Sequence, residues 1–128
     1  MPINEIQSAL QLYFDVMHEC DLEKFDRIFH PASSLFTSSN GVLTLRSFST
    51  YRAELEKRTP PMSLGQARID EVLMIDLLSP DIALAKVRVQ IHEKIFVDNL
   101  NLLKLDGRWM IVAKIYHLAG TIDAHKAT

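Results

Sequence analysis

The chain has 128 residues, 48% hydrophobic and 23% charged, with a formal net charge of −2 and one cysteine. That length fits a single domain, residues 1–128, able to bury a core, and a near-neutral charge builds no basic stripe, so no nucleic acid is expected as a partner. Lone Cys20 excludes an internal disulfide and a cysteine-rich zinc motif.

Met1-Pro2-Ile3-Asn4-Glu5 lacks the charged and apolar regions of a signal peptide, and no apolar run reaches spanning length. A cytoplasmic protein with no membrane partner is therefore expected. Ile6, Leu10, Tyr13 or Phe14 and Met17 recur at three- and four-residue steps and predict an amphipathic helix, with Asn4 and Gln7 resembling a capping box. Asp21 is the expected N-cap of a second helix carrying Leu22, Phe25, Ile28 and Phe29, which His30-Pro31 should end. Ser34-Leu35-Phe36-Thr37 and Val42-Leu43-Thr44-Leu45 flank Ser39-Asn40-Gly41 as a small hairpin. Ser47 caps a third helix with Phe48, Tyr51 and Leu55, closed by Pro60-Pro61; the stretch from Pro60 to Gly65 reads as a loop, a plain connector or part of a pocket rim.

From Ala67 to His117 the chain reads as long strands, with turns at Ser79-Pro80-Asp81 and near His92-Glu93-Lys94. Asp106-Gly107 is a strong type I′ hairpin signal, since both central residues need positive φ. A two-residue loop there sets Phe96 opposite His117, Asp98 opposite Ile115, Leu100 opposite Ala113 and Leu102 opposite Ile111. One hairpin face is then apolar except for Asp98 and His117, as a pocket wall would be. The other face carries Val97, Asn99, Asn101, Leu103, Met110, Val112, Lys114 and Tyr116, a half-polar surface suited to a homodimer. Helices first and a long antiparallel sheet afterwards predict an α+β fold.

This order, together with Tyr13-Phe14-Asp15-Val16-Met17-His18, Cys20-Asp21, Phe29-His30-Pro31, Val97-Asp98-Asn99-Leu100 and Asp106-Gly107-Arg108-Trp109, resembles the NTF2-like superfamily. Within it the chain looks closest to the group labelled putative lumazine-binding, beside the SnoaL-like and ketosteroid-isomerase families. The resemblance implies a cone: three N-terminal helices packed on a strongly curved antiparallel sheet around an internal pocket, and pairing through the outer sheet face. It also aligns the ketosteroid isomerases' oxyanion-hole tyrosine with Tyr13 and their neutral oxyanion-hole acid with Asp98. Their general base falls on Thr37, which cannot accept a proton as a carboxylate does.

The candidate catalytic groups are thus Asp98, Tyr13 and His117, and the candidate ligand contacts are these with His30, Phe96, Leu100, Leu102 and Ile111. Asp98 between apolar neighbours would be costly to bury ionised, or it caps backbone at a sheet edge. Tyr13 is a pocket donor or a core tyrosine. His30 could reach the opening or simply sit in a helix's last turn. His117 would share a face with Asp98, and either histidine could replace the missing base. A metal site from His30, Asp98 and His117 lacks any His-x-His spacing, so no metal and no cofactor is expected. Cys20 has no activating partner nearby, and Asp15, Glu19, Glu23 and Asp26 form a solvated face. The function expected is binding of a small apolar or aromatic molecule. The alternatives are a cofactor-independent isomerase, cyclase or dehydratase acting next to a carbonyl, and a ligand-free interaction module if side chains fill the cone.

Overall fold

In the computed structural model, which describes residues 2–122, three helices pack on one six-stranded sheet. The elements run α1 (Pro2–Glu19), α2 (Leu22–Ile28), β1 (Phe29–Ser39), β2 (Val42–Ser47) and α3 (Phe48–Lys57). A short 3-10 helix (Pro61–Leu64) follows, then β3 (Asp70–Ser79), β4 (Ile82–Ile91), β5 (Lys94–Leu105) and β6 (Arg108–Thr121). The sheet order is β2-β1-β6-β5-β4-β3. Every neighbouring pair is antiparallel except β1 with β6, which is parallel, a departure from the all-antiparallel expectation. Among the described residues no helix is long and apolar enough to cross a membrane.

The helices form where apolar stripes find a surface to cover. Ile6, Leu10, Tyr13, Phe14 and Met17 of α1 are buried against the sheet. Asp21 caps α2 by accepting the Lys24 N–H at 3.1 Å, and Ser47 caps α3 by accepting that of Thr50 at 3.3 Å. Asn4 is no cap, because α1 already begins at Pro2, where the missing N–H of proline costs nothing. Phe29, His30 and Pro31 belong to β1, not to the end of α2. Proline cannot donate to the ladder, and the pairing of β1 with β6 is interrupted between Phe29 and Ser34. The stretch after Pro60 is the 3-10 helix, closed by Gly65 in the left-handed region at φ 71°.

Asn40-Gly41 and Asp106-Gly107 turn with positive φ at both residues, as type I′ hairpins require. Beyond the second turn the ladder runs as expected only to Leu102 opposite Ile111. There β6 carries one extra residue, Val112, and from that point the register moves by one: Asn101 faces Ala113, Leu100 faces Lys114 and Asp98 faces Tyr116. Because side chains alternate, one inserted residue exchanges the faces of everything after it. Lys114 and Tyr116 turn inward, while Ile115 and His117 lie on the outer face with Asn99 and Val97. A second shift, between Ile95 and Phe96, and further ones in β3 bend the sheet around the helices.

At the narrow end of the cone Glu5 accepts from Trp109 Nε1 at 3.2 Å and from Lys104 Nζ at 3.0 Å, tying the start of α1 to the last hairpin. Above that tie Leu10, Leu100, Leu102 and Ile111 are fully buried and pack the core solid. Deleting Val112 should turn Lys114 and Tyr116 out and Ile115 in, costing about 3 kcal/mol or more by the usual scale for a misplaced buried charge. Chemical denaturation should show this as a lower midpoint, whereas Val112→Ala, which keeps the extra residue, should cost much less.

Candidate functional site

Three side chains from two layers meet beneath the wide end. Tyr13, fully buried on α1, donates its hydroxyl to Asp98 Oδ2 at 2.5 Å. Lys114 Nζ stands 3.7 Å from the same oxygen, and the two side chains are 6% and 1% exposed. The ammonium also lies 5.2 Å from the ring centres of Tyr13 and Tyr51 and 5.8 Å from that of Tyr116, within cation–π reach of all three. Its remaining polar neighbours are the Tyr51 hydroxyl at 3.5 Å and the Met17 sulfur at 4.0 Å. Burial, and then the negative charge of Asp98, hold the Tyr13 phenol well above its ordinary value of 10.0, so it stays a donor.

Above this group opens a cavity of about 520 Å³. Leu35, Ile91, Phe96 and Tyr116 give it apolar wall, but Arg46, Arg58, Lys94 and Lys114 face Glu54 and Asp98 around it. The expected apolar pocket is therefore a mixed one with an excess of cations. Arg46 binds the Tyr116 hydroxyl at 2.6 Å and Glu54 at 3.1 Å, so two of these charges are already engaged with each other. Two buried polar atoms of residues that line the cavity have no partner among the described residues: Asp98 Oδ1, an acceptor, and Arg58 Nη1, a donor.

The structure brings together Asp98 and Tyr13, with Phe96 and His117 also lining the cavity, and places the rest of the sequence-derived set elsewhere. Tyr13 is not in the wall, since its hydroxyl is spent on Asp98 from behind. His117 pairs with Val97 across the ladder and is exposed, and it lines the cavity. His30 lies at the far end of β1, where its Nδ1 accepts the Ala32 N–H at 3.0 Å, and it is not part of the cavity lining. Leu100, Leu102 and Ile111 pack the core below the cavity and do not line it. Thr37 lines the cavity but donates its hydroxyl to the Tyr116 carbonyl at 2.7 Å. Cys20 is half-buried, and burial pushes its thiol above the usual value.

Sequence reasoning missed Lys114, Tyr116, Tyr51, Arg46 and Arg58. The first two were placed on the outer face because no residue pattern announced the bulge at Val112. Asp98 thus has a cation 3.7 Å away and the Tyr13 hydroxyl on the same oxygen, where the sequence reading expected apolar surroundings.

Residues 2–117 match the model of the family described as putative lumazine-binding. An aldolase from Cladobotryum is 27% identical over 107 residues, covering 82% of each chain. An NTF2-like protein of unknown function from Silicibacter pomeroyi superposes with a TM-score of 0.80 at 23% identity, covering 91% of this chain and 94% of that one. One from Shewanella baltica gives 0.81 at 22% identity, covering 93% and 94%. A ketosteroid isomerase-like protein from Erwinia carotovora atroseptica gives 0.69 at 10% identity, covering 91% and 95%. These likenesses to solved structures show the fold, which is the expected cone.

The buried pair makes a stability prediction of definite sign. Asp98→Leu should destabilise by about 3–5 kcal/mol, because it strands the Lys114 charge, whereas Asp98→Leu with Lys114→Met should recover most of that loss. Calorimetric melting of the two variants separates them. Tyr13 adds a pH signature. Its raised phenol keeps a proton that the unfolded chain gives up, so stability is intact below pH 10.0 and falls as pH rises from there. Tyr13→Phe should be less stable near pH 7 but lose less on going to pH about 11, as denaturant midpoints at the two pH values would show.

Proposed function

The chain belongs to the putative lumazine-binding family, within the NTF2-like superfamily, and from that premise we propose that it binds a small, oxygen-rich organic molecule in the cavity above Asp98 and Lys114. The observation that carries this reading is the pair of buried atoms without a partner among the described residues, Asp98 Oδ1 and Arg58 Nη1, on two residues that line one cavity. A buried donor and a buried acceptor left open each cost free energy unless something supplies their partners. The complementary ligand carries a hydroxyl or N–H for Asp98 and a carbonyl or carboxylate oxygen for Arg58 and Lys114, with an apolar portion against Phe96 and Ile91. A cavity of about 520 Å³ suits a bicyclic molecule and speaks against a filled, ligand-free cone.

A second reading, reaction at a carbon beside a carbonyl, draws on the similarity to an aldolase and on Asp98 as a candidate acid–base group in the cavity wall. Here Lys114 and Arg58 would stabilise developing oxyanion charge, with Tyr13 setting the charge and orientation of Asp98 from behind.

Two probes test both readings. Lumazine is a bicyclic dione with N–H donors, and diacetone alcohol is a β-hydroxy ketone. At least one should raise the unfolding temperature of the wild type, by about 2.7 kcal/mol of added stability at a hundred times its Kd. The shift should vanish in Asp98→Asn with Arg58→Met. Equal shifts in that variant, or none in either protein, would overturn the binding reading. Release of acetone from diacetone alcohol, lost in Asp98→Asn, would favour the enzymatic one.

A homodimer through the outer sheet face also belongs to this proposal. With the corrected register that face carries Leu84, Asn101, Leu103, Ala113 and Ile115, and Ile115 is half exposed. Light scattering should report a dimer at micromolar concentration, and Ile115→Lys should shift it to monomer.

A further inference from the structure

We propose that Lys114 captures its ligand covalently, adding Nζ to an aldehyde or ketone carbon and holding it as an imine. The inference rests on the reading of this cavity as a site for an oxygen-bearing ligand and adds the ligand's reactive group to it. Its starting point is that Lys114 lines the cavity while its side chain is only 6% exposed. The core does not need an amine there. A buried ion pair contributes little net stability, and an apolar side chain of the same length would fill the position without a charge to desolvate.

The amine is also loosely held. Charge-assisted N–H···O contacts settle at about 2.7–2.9 Å. Lys114 Nζ instead stands 3.7 Å from Asp98 Oδ2, 3.5 Å from the Tyr51 hydroxyl and 4.0 Å from the Met17 sulfur. Little directional bonding must break for Nζ to turn onto a carbonyl carbon.

The groups around it can carry the protons. An ammonium proton passes to Asp98 Oδ2, and the freed nitrogen lone pair forms the N–C bond as the carbonyl π pair moves to oxygen. That oxygen takes the proton back, receives a second from nitrogen with the Tyr51 hydroxyl as relay, and leaves as water. Two of the three ammonium protons have then moved to the oxygen, and the third remains on the protonated imine. The charge is the same before and after. The carboxylate of Asp98 and the rings of Tyr13, Tyr51 and Tyr116 that surround the ammonium therefore serve the iminium equally well.

Benzaldehyde with sodium cyanoborohydride at neutral pH tests this, because reduction fixes any imine as a benzylamine that peptide mass spectrometry can locate. The expected result is a single adduct per chain on Lys114, formed about tenfold or more faster than on the surface lysines. Asp98→Asn should slow it, and Lys114→Arg, which keeps the cation and the fold but cannot form the imine, should abolish it. Labelling confined to surface lysines, or equal labelling in wild type and Lys114→Arg, would overturn the proposal. If Lys114 stays unmodified while lumazine or diacetone alcohol still raises the unfolding temperature, covalent capture is wrong and the binding reading stands. If Lys114 is labelled but neither probe shifts the melt, the donor-and-acceptor description of the ligand fails instead.

Discussion

The carboxylate of Asp98 lies in the wall of a cone, 1% exposed, where water cannot solvate it and a charge is at its most costly. Two elements from opposite ends of the chain answer that cost. α1 brings the Tyr13 hydroxyl to Oδ2 from behind, and β6 brings the Lys114 ammonium to the same oxygen from the side. Neither arrives by local preference. Tyr13 is held by the apolar stripe of α1, and Lys114 by the extra residue at Val112 that turns it inward. Compensation is uneven in its geometry: one oxygen has two partners and the other, equally buried, has none among the described residues.

The helical layer couples to this group through aromatic rings. Phe25 stacks on Phe29 at 4.6 Å and on Phe48 at 5.0 Å, and Tyr51 meets both Phe25 and Phe29 edge-on at 5.8 Å. Tyr51 thereby locks α3 to α2 and β1 while turning its hydroxyl toward Lys114. The same helix delivers Glu54 and, just past its last turn, Arg58 to the cavity, and Arg58 stands 6.0 Å over the Tyr51 ring. The polar lining thus comes from β1 and its turn, β2 and α3 as well as from the last two strands, while the buried charges, Asp98 and Lys114, belong to β5 and β6.

Most of the architecture was legible because it is written in short-range chemistry. The stripe from Ile6 to Met17, the caps Asp21 and Ser47, and the positive-φ pairs Asn40-Gly41 and Asp106-Gly107 each fix an element or a turn within a few residues. Asp98 was legible for a similar reason, as a carboxylate flanked by Val97 and Leu100 on a strand. The rest of the site was not, because strand alternation is a parity rule and one inserted residue reverses it. Trp109 to Ala113 is an unbroken apolar run, so nothing in it marks Val112 as surplus. The parallel pairing of β1 with β6 was hidden for a different reason, since it depends on which strands become neighbours across some eighty residues of chain. Arg46 and Arg58 carry no local signal of a site, and only that arrangement brings them to one cavity.

The tie of Glu5 to Trp109 and Lys104, with the packed leucines beyond it along β5, fills the interior on that side of Asp98 among the described residues, so the cavity lies toward the Lys94 end of the strand. There a second depression shares Arg58, Ile91, Lys94 and Phe96 with it. These four side chains are a common partition, and a change of shape at any of them alters both hollows at once.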